Sequence, residues 1–289
     1  MDRVHQVDQT VLEIVSRAET TISRPLNEQA VVDNSTIANW IMTFSEFYLA
    51  YHMVAAGNVQ LLLMDRSLSS TRNNLMYDTS RKRRWKSDCA ICDLEIDGLP
   101  FDMNEIELAR HRILNDALGI PTPRGDYLRY SVIYLLQKSG KAMTPDQTCS
   151  SLGIREDDRV GRVKRYLARS VQEELLEESA GSYSINPKYT NSWDRTKKLV
   201  LTIGQRLFEE RVENPMKIEK CGKAQWLTTR DLALLTLFTI HMLVEACWAK
   251  HCLLIGVTKD TIASDFRSHL IPVCVNSGIW KANAERARY

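Results

Sequence analysis

Val59-Gln60-Leu61-Leu62-Leu63-Met64-Asp65-Arg66-Ser67 decides how the rest of this chain is read. The apolar run from Val59 to Met64 follows Gly57-Asn58 and stops at polar residues, the pattern of a short buried strand in a parallel sheet. Asp65 then stands at the strand's carboxyl end. Open α/β sheets bind their ligands at that edge, because loops rather than packed side chains line it. Upstream, 36–56 carries Ile37, Ile41, Phe44, Phe47, Tyr48, Tyr51 and Val54 at helical spacing, with Asn34 or Ser35 as the N-cap. Glu46 lies beside that apolar stripe. A carboxylate there must be solvated, paired or bound to a metal, since an isolated buried charge costs too much. Two acids from adjacent elements suit a divalent-metal phosphodiesterase site; the structural alternatives are a Glu flanking a helix and an Asp capping the next turn.

The chain has 289 residues, 44% of them hydrophobic and 26% charged, as in a soluble globular protein of one large domain with an insertion, or of two domains. Its 38 basic and 36 acidic residues leave +2, which excludes a whole-molecule field that attracts nucleic acid or membrane. Local patches must do any such binding. Seven cysteines without regular spacing point to a reducing compartment. Cys89-Ala90-Ile91-Cys92 is a lone C-x-x-C, without the second pair of ligands that a structural zinc site uses. The first 24 residues are polar and amphipathic, unlike a signal peptide. The most apolar run, 232–244, is shorter than a bilayer requires before Glu245 and Lys250 interrupt it. A cytoplasmic protein with no membrane segment is the expectation.

Residues 2–22 read as an amphipathic helix, with Val4, Val7, Val11, Leu12, Val15 and Ile22 on one side and Arg24-Pro25 ending it. Beyond Asp65 and Arg66 comes Arg81-Lys82-Arg83-Arg84-Trp85-Lys86. Its cations suit a phosphate backbone and Trp85 offers a stacking face, although such runs also occur as solvated loops. Pro121-Thr122-Pro123-Arg124-Gly125 reads as a linker and divides the chain into 1–123, 124–189 and 190–289.

The middle part predicts a helix from Tyr127, then a short helix capped by Thr144-Pro145 and ended at Leu152-Gly153. A longer helix over 155–178 follows, whose basic first half holds Arg155, Arg159, Arg162, Lys164, Arg165 and Arg169, and then a hairpin around Ala180-Gly181. That is the order of a winged helix-turn-helix, in which the third helix lies against DNA; the same fold also docks proteins. In the last part, Thr228-Thr229 caps a helix through 231–250. The apolar strand 252–257 then runs into Thr258-Lys259-Asp260-Thr261, which brings Lys259 toward the edge that carries Asp65, with Asp260 as a helix cap.

Three pieces together resemble the NurA nuclease family: Ser45-Glu46-Phe47-Tyr48-Leu49-Ala50-Tyr51, Leu61-Leu62-Leu63-Met64-Asp65-Arg66-Ser67-Leu68-Ser69 and Leu253-Leu254-Ile255-Gly256-Val257-Thr258-Lys259-Asp260-Thr261. The likeness covers roughly the first 80 and last 65 residues, with the winged-helix-like section as an insertion. It implies an RNase H-like mixed sheet flanked by helices, DNA as substrate and a HerA-type translocase as partner. Glu46 and Asp65 become metal-binding acids for Mg²⁺ or Mn²⁺, and Lys259 a catalytic cation near the substrate phosphate. The family's opening Asp-Gly-Ser motif has only Asp33-Asn34-Ser35 as a counterpart, and its closing Tyr and His motif is not evident. A partner chain, as in a homodimer, is one way of completing such a site. The functional expectation is metal-dependent DNA cleavage in end processing or repair, and its rival is a noncatalytic DNA-binding or assembly protein. Candidate nucleic-acid contacts are Arg66, Arg81, Arg83, Arg84, Trp85, Arg155, Arg159, Arg162 and Arg165.

Overall fold

The computed structural model describes residues 34–57, 59–79, 89–115, 127–209, 212, 215–220 and 222–257. Two long apolar helices form its centre: α1 (Asn34–Ala55), which carries the Phe44, Phe47 and Tyr48 stripe, and α8 (Thr229–Ala249) packed along it. A reciprocal capping box starts α8, with the Thr228 hydroxyl accepting from the Asp231 amide and the Asp231 carboxylate accepting from the Thr228 amide. By length and composition α8 meets the requirements of a membrane span, which its apolar run alone does not; 72% of its apolar window is buried inside the protein.

Strands β1 (Leu61–Met64) and β8 (Leu253–Gly256) pair in parallel, Leu61 opposite Leu253 and Met64 opposite Gly256. Leu62 and Met64 enter the main core, whereas Leu61 and Leu63 are 51% and 58% exposed. The strand expected to be buried is therefore buried on one face, because among the described residues this sheet has only two strands and its other face lacks a covering layer. A larger mixed sheet is not what the described strands build: they make four separate two-stranded sheets.

After β1 come α2 (Leu68–Asp78), the hairpin β2 (Leu94–Ile96) and β3 (Leu99–Phe101), and α3 (Met103–Asn115). The β2–β3 turn is Asp97-Gly98, both at positive φ, as a tight hairpin turn requires.

Then follow α4 (Tyr127–Ser139), α5 (Pro145–Ser151), α6 (Asp157–Gln172), β4 (Leu176–Ser179) and β5 (Ser182–Ile185), so three helices precede a hairpin in the expected order. Met143 bridges antiparallel to Tyr183 and adds a third short segment beside β5. Helix α6 is shorter than the sequence suggests. The Leu175 amide donates to the Ser170 carbonyl and the Glu174 amide to the Val171 carbonyl, a Schellman closure with Glu174 at φ 59°. That turn releases the chain into β4 and buries Leu175 and Leu176. Together with Leu108, Val132, Ile133, Leu136, Cys149, Val163, Leu167 and Tyr189 they form a second apolar core.

Helix α7 (Ser192–Phe208) and the hairpin β6 (Lys217–Lys220) and β7 (Lys223–Trp226) return the chain to the main core. Gly204 of α7 lies so close to the Tyr48 ring that no side chain fits between them.

Candidate nucleic-acid interface

Helix α6 is sharply two-sided. Val163, Leu167 and Ser170 face the second core, and Arg162, Arg165, Tyr166 and Arg169, spaced i, i+3, i+4 and i+7, line an open cleft of about 470 Å³. Asp158 holds Arg162 at 2.9 Å and Glu173 holds Arg169 at 2.9 Å, while Arg165 forms no ion pair among the described residues. Arg159 pairs with Glu156 at 2.9 Å. The Arg159 and Arg162 pairs are exposed, so each contributes only about 0–1 kcal/mol and is readily exchanged for a phosphate, whereas Glu173 is half-buried. Arg155 lies on a second groove with Cys149, Gly153 and Val160, where α5 turns into α6.

The turn between those helices explains their angle. Thr144 and Gln147 make a reciprocal capping box at the start of α5. At its end Gly153, at φ 67°, lets the Ile154 amide donate to Cys149 and its own amide to Ser150.

A buried polar network ties this unit to α3. The Arg129 guanidinium contacts Glu107 at 2.8 Å and Glu173 at 2.7 Å, and Glu173 also accepts from Arg169 of the cleft. Burial opposes the Arg129 charge, but Glu107 and Glu173 more than offset it and the net shift is upward. His111 is buried against Tyr130 with Glu107 at 3.4 Å; burial lowers its pKa, outweighing the Glu107 carboxylate. Asn104 donates to the Glu173 carbonyl and to the Tyr189 hydroxyl, which donates to Asp102.

The strand-tip acids sit in the main unit. Glu46 forms an ion pair with Arg66, the residue after Asp65, and both partners are half-buried. This contact brings the α1 acid to the end of β1, where Asp65 is exposed. Gly256 shapes the same edge: a Cβ there would lie 2.5 Å from the Arg66 carbonyl oxygen and 2.9 Å from Leu68 Cγ. The Val257 amide donates to Met64, so β1 and β8 end side by side. Lys259 and Asp260 lie outside the described residues, as do Arg81, Arg83, Arg84, Trp85 and the 2–22 segment. Among the described residues no three His, Cys, Asp or Glu side chains converge as a metal site. Of the two acids expected to hold a metal, Glu46 is held by Arg66 and Asp65 is the exposed residue next to it in sequence.

Cys89 and Cys92 are buried, and burial pushes the Cys92 thiol up to about 12, so it is held as a thiol. Their turn is fastened by Asp231, whose carboxylate accepts from the amides of Ala90 at 3.0 Å and Ile91 at 3.1 Å. Tyr166, Glu173 and Asp231 were not singled out from the sequence. Tyr166 was within reach, because it falls one helical turn after Arg162 on the basic face.

Comparison of the chain with family models, with curated proteins and with solved structures finds no match.

Proposed function

We propose that this chain binds nucleic acid through a winged helix-turn-helix unit over 127–189, with α6 as the contacting helix. The observation that carries this reading is the cleft in which Arg162, Arg165 and Arg169 converge around Tyr166. Three guanidiniums match phosphate oxygens in charge and geometry, and a phenol ring offers a base a stacking surface. The order of α4, α5, α6 and the β4–β5 hairpin supports the same reading, as does the glycine turn between α5 and α6. The test is fluorescence anisotropy with labelled oligonucleotides. A triple variant R162A/R165A/R169A is expected to lose at least 100-fold in affinity while its thermal unfolding stays within a few degrees of the parent. Unchanged affinity in that variant overturns the reading.

The second reading is metal-dependent DNA cleavage at the strand tip. It is favoured by the ion pair that joins Glu46 to Arg66, the residue after Asp65, and by the parallel pairing of β1 with β8. Magnesium or manganese would be held by Glu46 and Asp65, as hard cations are held by one or two carboxylates plus phosphate and water. Bound there, the ion would acidify a water and offset charge on the scissile phosphate. Arg66 would have to release Glu46 for this to happen. Cleavage of DNA in Mn²⁺ that disappears in Asp65→Ala, with folding intact, is the expected result; a chain that binds DNA without cutting it leaves the binding module alone.

A further inference from the structure

Resting on the binding reading above, we infer that the ligand of the α6 cleft is a single strand of nucleic acid rather than a duplex. The basic stretch is short. Arg162 to Arg169 spans about 10 Å of helix axis, so its three guanidiniums can meet only a few consecutive phosphates. Carboxylates bound it on both sides. Glu156, the N-cap, and Asp157 and Asp158 of the first turn are exposed at the start of α6, and Glu174, Glu177 and Glu178 are exposed just after it. Over 155–189 seven cations are matched by seven carboxylates, and 174–186, which contains the whole β4–β5 hairpin, has no Lys or Arg.

A duplex reads this distribution badly. Its major groove is about 12 Å wide and an α-helix with its side chains is about 10–12 Å across, so a seated helix has a wall of phosphates along each flank. The acids of the first turn and of the hairpin would then face phosphates within about one Debye length, where like charges repel. At the start of the helix, Arg155 and Arg159 could reach base edges only with Glu156, Asp157 and Asp158 standing exposed between them. A single strand avoids these clashes. It can follow Arg162, Arg165 and Arg169 with its phosphates and lay one base on the half-buried Tyr166, a contact available to any base.

The test uses the full chain and three probes of the same sequence: single-stranded DNA, single-stranded RNA and duplex DNA, titrated between low and moderate salt. A single strand is expected to bind at least tenfold more tightly than the duplex, and the better of the DNA and RNA arms identifies the strand. With three phosphates neutralised, log affinity should fall with log salt at a slope of about −2. Tyr166→Ala should weaken single-strand binding roughly tenfold, Tyr166→Phe should retain it, and E177K/E178K should raise duplex affinity. Duplex binding by the unaltered chain that equals or exceeds single-strand binding overturns this inference while the binding reading survives. Binding of none of the three probes overturns both.

Discussion

The strand-tip region and helix α6 both concentrate charge, yet they use it in opposite ways. At the tip of β1 a single half-buried Glu46 is closed by Arg66, and the loop that carries Arg66 is pressed onto Gly256. On α6 the cations stand in solvent, and their partners are neighbours one turn away on the same helix or just beyond its end. Charge satisfied by tertiary contacts serves the fold first, and any ligand must displace a partner. Charge satisfied by exposed local pairs costs little to release, which favours α6 over the tip as the proposed surface for a polyanion.

The largest effect expected from breaking this contrast falls on Asp231, which anchors the core side. Asp231→Ala leaves the buried amides of Ala90 and Ile91 and the half-buried amide of Thr228 without an acceptor, at about 1–3 kcal/mol for each unsatisfied buried group. A loss of at least 3 kcal/mol by denaturant unfolding is expected, with oligonucleotide affinity of the remaining folded protein unchanged.

Gly256→Ala should cost about 1–3 kcal/mol by overpacking against the Arg66 carbonyl. The same variant should leave α6 binding intact; equal losses of binding and stability would show that the two regions are not separable.

The junction between them should respond to pH through His111. Its folded pKa lies below the ordinary value because burial disfavours the charged ring, with Glu107 opposing this and Arg110 and Arg129 reinforcing it. The neutral ring is the form the fold accepts, so stability is complete above the unfolded value of about 6.5 and falls as pH drops below it. Thermal unfolding followed from pH 7.5 to 5 should show a drop that is smaller in His111→Gln.

The smallest effect concerns the end of α6. Glu174 occupies the left-handed region, which costs a non-glycine residue about 1 kcal/mol. Glu174→Gly should therefore raise stability by a fraction of that amount or slightly more, measured by the unfolding midpoint, and should not weaken single-strand binding.

Much of the frame was legible in residue order. The apolar run before Asp65, the Thr144-Pro145 cap, the Leu152-Gly153 turn and the basic periodicity after Arg155 are local signals, and each corresponds to an element or boundary in the structure. Helix α3 was not legible in the same way. Its Asn104, Glu105, Glu107, Arg110 and His111 are all buried, against the reading that their polarity invites. They are tolerated inside because Arg129, Arg195, Tyr130 and Tyr189 arrive from other parts of the chain to satisfy them. Helix α6 stops early for a related reason: Leu175 and Leu176 gain more in the second core than they would on a longer helix.

By itself the sequence determined where short-range rules operate: the helical stripes, the caps, the glycine turn and the one-sided basic face of α6. These depend on spacing and on backbone chemistry within a few residues. Tertiary structure alone decided that Glu46 meets Arg66, that β1 and β8 leave an apolar face exposed, and that the polar face of α3 is an inside face. Each of these depends on partners many residues away, and burial of a charge or an apolar side chain becomes favourable or costly only once those partners are in place.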